Sequence, residues 1–195
     1  MLQKKKRFSL LVLAALMLGL VACVYMLPSQ ADTAPSADSW AASADVTWYS
    51  SADTTFYIST PEQLAGVAAL VNAKSDDFDN DTIILSNDID LDGKSWAPIG
   101  TTDTLSFKGT FNGQGYSVNI TSMDSGLTNA GLFGYIASAD IKNVVTTGAI
   151  SGSYARVGAL VGSANNSKIA NIINKATIIN NESYSDTYTG GIAGF

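Results

Sequence analysis

Six aspartates are the residues whose type and spacing come closest to a metal site. They form two groups, Asp77-x-Asp79-x-Asp81 and Asp88-x-Asp90-x-Asp92, and the second is followed by Gly93 as in the first half of an EF-hand calcium loop. Position twelve of that loop is Ile99, where a bidentate glutamate is needed, so an EF-hand is excluded. A looser calcium site stays a hypothesis for either group. The alternative is solvated carboxylates on the outer face of a strand or turn.

The residues and motifs of common catalytic sites are missing from the sequence. The chain contains no histidine, which removes the most common general base and every nucleophile that a histidine activates. It has no Gly-x-Ser-x-Gly elbow and no phosphate-binding loop, and Gly113-Gln-Gly115 lacks the third glycine of a dinucleotide motif. The sequence therefore predicts that the protein is not an enzyme and that it uses no cofactor, apart from the calcium hypothesis.

The charge is distributed very unevenly along the chain. Four of the eleven basic residues lie between Lys4 and Arg7, and all seventeen acidic residues lie at Asp32 or later. Beyond residue 31 the net charge is −10. Nucleic acids and anionic membrane surfaces bind clustered lysines and arginines, so neither is predicted as a partner.

Residues 1–31 have the features of a signal peptide. The basic stretch precedes a largely apolar run, Phe8–Leu27, and the small residues Ser29 and Ala31 suit cleavage after Ala31. Two alternatives stay open: an uncleaved membrane anchor, and a lipoprotein in which Leu20-Val-Ala-Cys23 resembles the lipobox and Cys23 is lipidated. All three predict an exported protein, extracellular or at the cell surface. A membrane contact is predicted only through this segment, if it stays uncleaved or is lipidated at Cys23.

An N-terminal region, 45–80, should hold short strands and one helix. Residues 32–44 before it are small, polar and non-periodic, as in a linker, whereas Val46–Trp48 and Phe56–Ile58 are prone to form strands. The helix is predicted from Pro61 to Ala73. Thr60 and Gln63 form a capping-box pattern there, and one face is apolar, at Leu64, Val67, Ala68 and Val71.

A 28-residue repeat dominates the region 81–195. Glycine-bounded apolar runs recur at Gly131–Gly134, Gly158–Gly162 and Gly190–Gly194, and matching segments follow the first two at Ile141 and Ile169. Each unit holds three strand-sized pieces, at 131–136, 141–146 and 149–150 in the first unit. This pattern predicts an all-β fold, a right-handed parallel β-helix with the helix as its N-terminal cap.

Two further expectations follow from stacking. Asn143 and Asn171 would lie one above the other, so their amides would form a hydrogen-bonded ladder; the alternative is two aligned surface turn residues. The third glycine-bounded run begins just before Phe195. The repeat region is therefore expected to be truncated at its C-terminus.

The glycine-bounded runs resemble the GLUG motif of bacterial cell-surface proteins. Upstream segments also resemble the region that commonly precedes such motifs: 58–66, 84–93, 96–100 and 107–113. The resemblance covers residues 47–195. It implies a β-helical segment of a large secreted or wall-attached protein, such as those found in adhesin-like proteins and beside the catalytic domains of surface immunoglobulin A proteases.

The sequence predicts a secreted or surface-attached bacterial protein that serves as a non-catalytic adhesion or spacer module. A host or matrix glycan or protein is the ligand expected for adhesion, with Tyr135, Tyr154, Tyr184 and Tyr188 as candidates for stacking on sugars. One alternative is a β-helical polysaccharide lyase or hydrolase that uses Asp88, Asp90 and Asp92 beside Lys94, which rests on fold analogy. Another is an accessory region of a larger surface protease.

Overall fold

The computed structural model describes residues 36–183 and 186–195. It is mostly β, with one α-helix and parallel strands stacked as a β-solenoid of about five turns, which confirms the predicted parallel β-helix. The signal peptide predicted for 1–31, with Cys23, lies outside the described residues. Within the described part of the chain, no helix has the length and apolar character needed to span a bilayer.

Apart from β8 the strands are short, and every pairing between strands of the described residues is parallel. In chain order they are β1 (Thr55–Ile58), β2 (Thr82–Leu85), β3 (Ile89–Asp90), β4 (Thr110–Asn112), β5 (Ser117–Ile120), β6 (Asn129–Ala130), β7 (Phe133–Ala137), β8 (Asp140–Gly152), β9 (Arg156–Gly158), β10 (Val161–Asn165), β11 (Lys168–Asn174), β12 (Thr177–Asn180) and β13 (Tyr188–Gly190).

Each turn of the solenoid is here called a rung. Strands from successive rungs stack in columns. One column runs β1, β2, β4, β8, β11, and a second runs β3, β5, β8, β12. The two remaining columns are β7 with β10, and β6 with β9 and β13. Inward-pointing residues such as Ile141 and Val144 are fully buried between the columns. The solenoid is therefore held by backbone bonds between rungs and by one continuous apolar core.

The 28-residue period sets the register of the later rungs. Val161 pairs with Phe133, Ile169 with Ile141, and Ile178 with Ile150, as the repeat predicts. The stack also extends further toward the N-terminus than the repeat indicates, because Thr55 of β1 already pairs with Thr82. Rung lengths vary there. The last rung is longer as well, since Ala193 stands 32 positions after its partner Val161.

Strand β8 joins two pieces that the sequence analysis separated. Residues 141–146 and 149–150 belong to one strand, which bends where Asn143 and Gly148 adopt φ values of 56° and 98°. Left-handed backbone at these two positions suits asparagine and glycine. The bend lets one strand take part in both of the long columns.

The repeated glycines lie where neighbouring rungs approach most closely. A Cβ at Gly134 would stand 2.3 Å from the carbonyl oxygen of Gly100, and one at Gly194 would stand 2.7 Å from that of Gly162. A Cβ at Gly162 would likewise meet the Gly134 oxygen at 2.9 Å. Gly100, Gly134, Gly162 and Gly194 thus form a column, here called the glycine column, in which any side chain would collide with the backbone of another rung.

The helix α1 spans Pro61–Asn72, close to the predicted range. The Thr60 hydroxyl accepts a hydrogen bond from the Gln63 N–H, whereas the Gln63 side chain accepts from Ser59 and so reaches one residue further than in a standard capping box. At the other end, the Asn72 amide donates to the Pro98 carbonyl and accepts from the Gly100 N–H. The cap function of α1 stays a prediction.

The segment before α1 differs from its predicted structure. Residues 40–43 of the expected linker form a 3₁₀ turn, and Trp40 is buried, with its indole N–H donating to the Leu91 carbonyl. The expected strand at 46–48 is a turn instead; there Trp48 packs against the rings of Phe56 and Phe78. Large aromatic side chains anchor this otherwise polar segment to the core. The composition of the segment alone does not predict this packing.

Candidate ligand-binding site

Asp88, Asp90 and Asp92 are exposed and lie in a row along β3 and the residues that flank it, and each accepts hydrogen bonds from the next rung. Asp88 accepts hydrogen bonds from the N–H and the hydroxyl of Ser117 at 2.7 and 2.9 Å. Asp90 accepts from the Asn119 amide and Asp92 from the Thr121 hydroxyl, at 2.8 and 2.7 Å. We call these three aspartates the acidic row.

The acidic row is extended and does not converge on one point. Alternate residues of a strand stand about 6.6 Å apart, whereas calcium needs six to eight oxygens at about 2.3–2.6 Å. Hydrogen bonds from Ser117 lower the pKa of Asp88, and those from Thr121 and Gly93 lower the pKa of Asp92. The carboxylates therefore act as cross-rung acceptors.

Lys94, the cation expected beside the acidic row, lines an open cleft together with Asp92, but its ammonium is engaged by the N-terminal segment. Its ammonium lies 5.0 Å from the centre of the Trp40 ring and donates to the Ser43 hydroxyl. A cation over an aromatic face gains electrostatic attraction from the ring. This arrangement ties Lys94 to the N-terminal segment.

Asp77, Asp79 and Asp81 occupy a loop whose centre, Phe78, is fully buried. Asp77 forms a salt bridge of 2.7 Å with Lys108, and its Oδ1 accepts from the Asp79 N–H. Burial raises the pKa of Asp77, but the bonds from Lys108 and Asp79 outweigh it and leave that pKa lowered. The pKa of Asp81 is raised, by burial and then by the charges of Asp76 and Asp79.

An open cleft of about 550 Å³ lies next to this loop. Its charged lining residues carry both signs, and they are Lys74, Asp76, Asp77, Asp103 and Lys108. Asp76 also accepts a 2.5 Å hydrogen bond from Tyr49, which raises the pKa of that phenol to about 12. Asp76 and Asp77 are thus already engaged by neighbouring residues. Across residues 36–183 and 186–195, no three acidic or cysteine side chains are placed to hold a metal ion.

A second pocket, of about 320 Å³, contains the only arginine of the described chain, Arg156. We call it the Arg156 pocket. It arises because residues of successive rungs stack: Asn129 pairs with Arg156, and Arg156 pairs with Tyr188. The side chains that contribute polar or aromatic surface to it include Thr101, Asp103, Asn129, Tyr135, Arg156 and Phe195.

The guanidinium of Arg156 rests on aromatic rings. Its Cζ lies 5.3 Å from the centre of the Phe195 ring and 6.0 Å from that of Tyr188, and these two rings are themselves 4.9 Å apart. Among the described residues, no carboxylate lies within salt-bridge distance of Arg156, and its buried Nε has no hydrogen-bond partner. The rings orient this cation without neutralising it.

Asn129 lines the same pocket and is hydrogen-bonded through both the nitrogen and the oxygen of its amide. It is 5% exposed, its amide donates to the Thr101 carbonyl, and its Oδ1 accepts from the Ser163 hydroxyl at 3.0 Å. These two bonds fix the side chain between two rungs. The pocket therefore places a polar side chain that is fixed by hydrogen bonds next to a cation that rests on aromatic rings.

The four candidate tyrosines have different outcomes. Tyr135 lines the Arg156 pocket, and Tyr188 is 40% exposed and contacts the guanidinium. Tyr154 is 5% exposed and donates to the Ser151 carbonyl, and burial raises its pKa, so it is a packing residue and cannot stack on a sugar. Tyr184 lies outside the described residues.

Sequence reasoning did not identify Arg156 itself. Arg156 lies 27 positions after Asn129, so the 28-residue period aligns Asn129 with Val157 and misses the contact by one residue. Its status as the sole arginine after residue 31 was the one available signal.

Comparison with known proteins adds no identification: no protein-family model, no curated protein and no solved structure matches this chain.

Proposed function

We propose that this protein is a secreted or surface-attached bacterial module that serves adhesion or spacing without catalysis. The observation that carries the proposal is the bonding between rungs on the outside of the stack. The acidic row accepts from Ser117, Asn119 and Thr121, and Asn171 donates to Asn143 on another exposed face. Outward polar side chains that bond to each other stiffen a surface, as a spacer or a ligand-presenting scaffold requires.

The resemblance of the glycine-bounded runs to the GLUG motif supports the same function. The glycine column gives that motif a physical reason, since Gly134 and Gly162 stand where rungs approach too closely for a side chain. Proteins with such repeats belong to bacterial cell surfaces. The signal-peptide features of residues 1–31 support export independently of the repeat.

Export is tested by expressing the full chain in a bacterial host and sequencing the N-terminus of the mature protein. The proposal predicts that the protein is found outside the cytoplasm and is digested when intact cells are treated with protease. A mature chain that begins at Asp32 supports cleavage after Ala31, and a lipid-modified Cys23 supports the lipoprotein. Protein that keeps its N-terminus and stays in the cytoplasm, protected from protease, overturns the proposal.

A further inference from the structure

We propose that the Arg156 pocket binds a sugar residue that carries a carboxylate, held by paired hydrogen bonds from the Arg156 guanidinium. The proposal deepens the adhesion function and rests on it for its biological role.

The guanidinium of Arg156 carries a charge that no neighbouring group of the described chain neutralises. The charge of Arg156 has no ion-pair partner among the described residues, and Nε, which is buried, donates to no atom there. Because Nε is buried, it is out of reach of a ligand, whereas the two terminal nitrogens of the guanidinium are neither buried nor bonded to a described residue and can donate to one. A carboxylate matches the guanidinium geometry, because two parallel N–H···O bonds form to its two oxygens.

The Arg156 side chain is already ordered before a ligand binds. The rings of Tyr188 and Phe195 already hold the guanidinium, so ligand binding does not have to order a freely rotating arginine. Restricting such a side chain on binding normally costs about 0.5–1.5 kcal/mol. The aromatic contact removes part of that cost before the ligand arrives.

The other groups that line the Arg156 pocket favour a sugar over a simple anion. Besides the cation, the pocket offers the Tyr135 and Phe195 rings, threonine hydroxyls at Thr101 and Thr128, and the Asp103 carboxylate. Aromatic rings pack on the apolar faces of sugars, while hydroxyl and carboxylate groups exchange hydrogen bonds with sugar hydroxyls. Its volume of about 320 Å³ is at the lower end of small-ligand sites, as suits one or two sugar rings.

Asp103 also argues against phosphate as the ligand. It lines the pocket and is exposed, and its Oδ1 accepts from the Thr104 N–H at 2.9 Å. A negative charge at the rim repels a phosphate dianion more than a singly charged carboxylate, and it supplies an acceptor for sugar hydroxyls. One arginine beside one aspartate therefore favours a sugar with a single carboxylate over a phosphate.

The test is calorimetric titration of the purified full chain with two acidic sugars, sialyllactose and digalacturonic acid. The methyl ester of sialyllactose and the dimethyl ester of digalacturonic acid are the neutral counterparts. We expect saturable binding of at least one acidic sugar and at least about tenfold weaker binding of its neutral counterpart. Arg156→Gln should lose at least about tenfold in affinity, and Arg156→Lys should lose less, because it keeps the charge but not the paired bonds. Lys175→Gln, which removes an exposed positive charge that does not line the pocket, should bind as the parent does.

Equal affinity for acidic and neutral sugars, or unchanged binding by a folded Arg156→Gln variant, overturns the proposal. Equal binding of an acetylated dipeptide of the same charge overturns the assignment to a sugar. If Arg156→Gln fails to fold, the comparison of acid with methyl ester on the parent protein decides. Absent binding of every sugar, with surface exposure on cells intact, overturns this site and leaves the surface module standing as a spacer.

Discussion

The Nδ2 of Asn171 donates a hydrogen bond to the Oδ1 of Asn143 across 3.1 Å, between residues 28 positions apart. Asn143 in turn donates to the Oδ1 of Asn112 at 2.9 Å. The expected asparagine ladder is thus confirmed and includes a third member. Asn143 and Asn171 also adopt φ values of 56° and 55°, which asparagine tolerates better than most residues. Asparagine at these positions therefore both adopts the left-handed backbone of the bend and forms the hydrogen bonds of the ladder.

Substitution of Asn143 tests how much the ladder stabilises the stack. Asn143→Ala removes two side-chain hydrogen bonds and places an alanine in the left-handed region, so we expect a loss of about 1–3 kcal/mol in the free energy of unfolding. Asn143→Gly loses the same bonds without the backbone strain and should lose less. Urea denaturation of the purified protein measures both. An alanine variant within about 0.5 kcal/mol of the parent contradicts a stabilising ladder.

The glycine column makes a sharper prediction. Gly134→Ala would place a methyl group 2.3 Å from the Gly100 carbonyl oxygen, a contact that only backbone movement can relieve. We expect a loss of at least about 2 kcal/mol in unfolding free energy or failure to fold. Gly191→Ala is the matched control, because its nearest neighbour would be the Asn174 side chain at 3.6 Å. Similar stability of the two variants contradicts close packing of the rungs at Gly134.

The acidic row predicts a specific dependence of stability on pH. The pKa values of Asp88 and Asp92 are lower in the folded protein than in the unfolded chain, owing to bonds from Ser117 and Thr121. Their contribution is therefore present above the unfolded pKa of about 3.9 and is lost as the pH falls through the folded values. We expect the melting temperature to drop below about pH 4, in part through these two residues.

The double variant Ser117→Ala with Thr121→Val isolates the share of that part that the hydroxyl groups supply, because the Ser117 and Gly93 N–H donors remain. It removes both hydroxyl donors, so its melting temperature should be lower at neutral pH and should drop less in acid. Ser125→Ala, at an exposed serine, is the control and should follow the parent. Thermal melts recorded across acid pH measure the slopes. A double variant with the same acid dependence as the parent shows that these bonds do not set it.

The geometry of the two aspartate groups predicts the effect of calcium removal. The acidic row is extended along β3, and Asp77 is paired with Lys108, so we expect excess chelator to leave the melting temperature unchanged. Added calcium should likewise have no effect beyond that of magnesium. Because a ligand at 100 times its Kd stabilises by about 2.7 kcal/mol, a real site would be seen easily. Selective stabilisation by calcium would revive the calcium hypothesis for these aspartates.

Much of the later stack could be predicted because identical residues repeat at a fixed period. Ile141 over Ile169 and Asn143 under Asn171 follow from the 28-residue spacing alone. The helix α1 was equally clear, since Thr60 and Pro61 begin an amphipathic segment. Local and periodic signals suffice where each rung has the same length.

The Arg156 pocket and the N-terminal packing could not be predicted in the same way. Arg156 joins Asn129 through a 27-residue step, and Phe133 meets Ile99 across 34 positions, so a constant period misplaces both. Trp40 and Phe78 sit in polar segments, and both are buried through distant residues: the Trp40 indole donates to the Leu91 carbonyl, and the Phe78 ring contacts the Phe107 ring. Contacts that depend on the length of a loop, or on a residue far away in the sequence, produce no periodic pattern from which they could be predicted.

The central claim, a surface module that presents its outer face to ligands without transforming them, is tested by incubating the protein with a panel of polysaccharides. Mass spectrometry and a reducing-end assay of each polysaccharide before and after incubation give the result. We predict an unchanged mass distribution and no new chain ends for any member of the panel. Unsaturated or reducing ends that accumulate with time and in proportion to the protein would contradict the claim and favour a polysaccharide lyase or hydrolase.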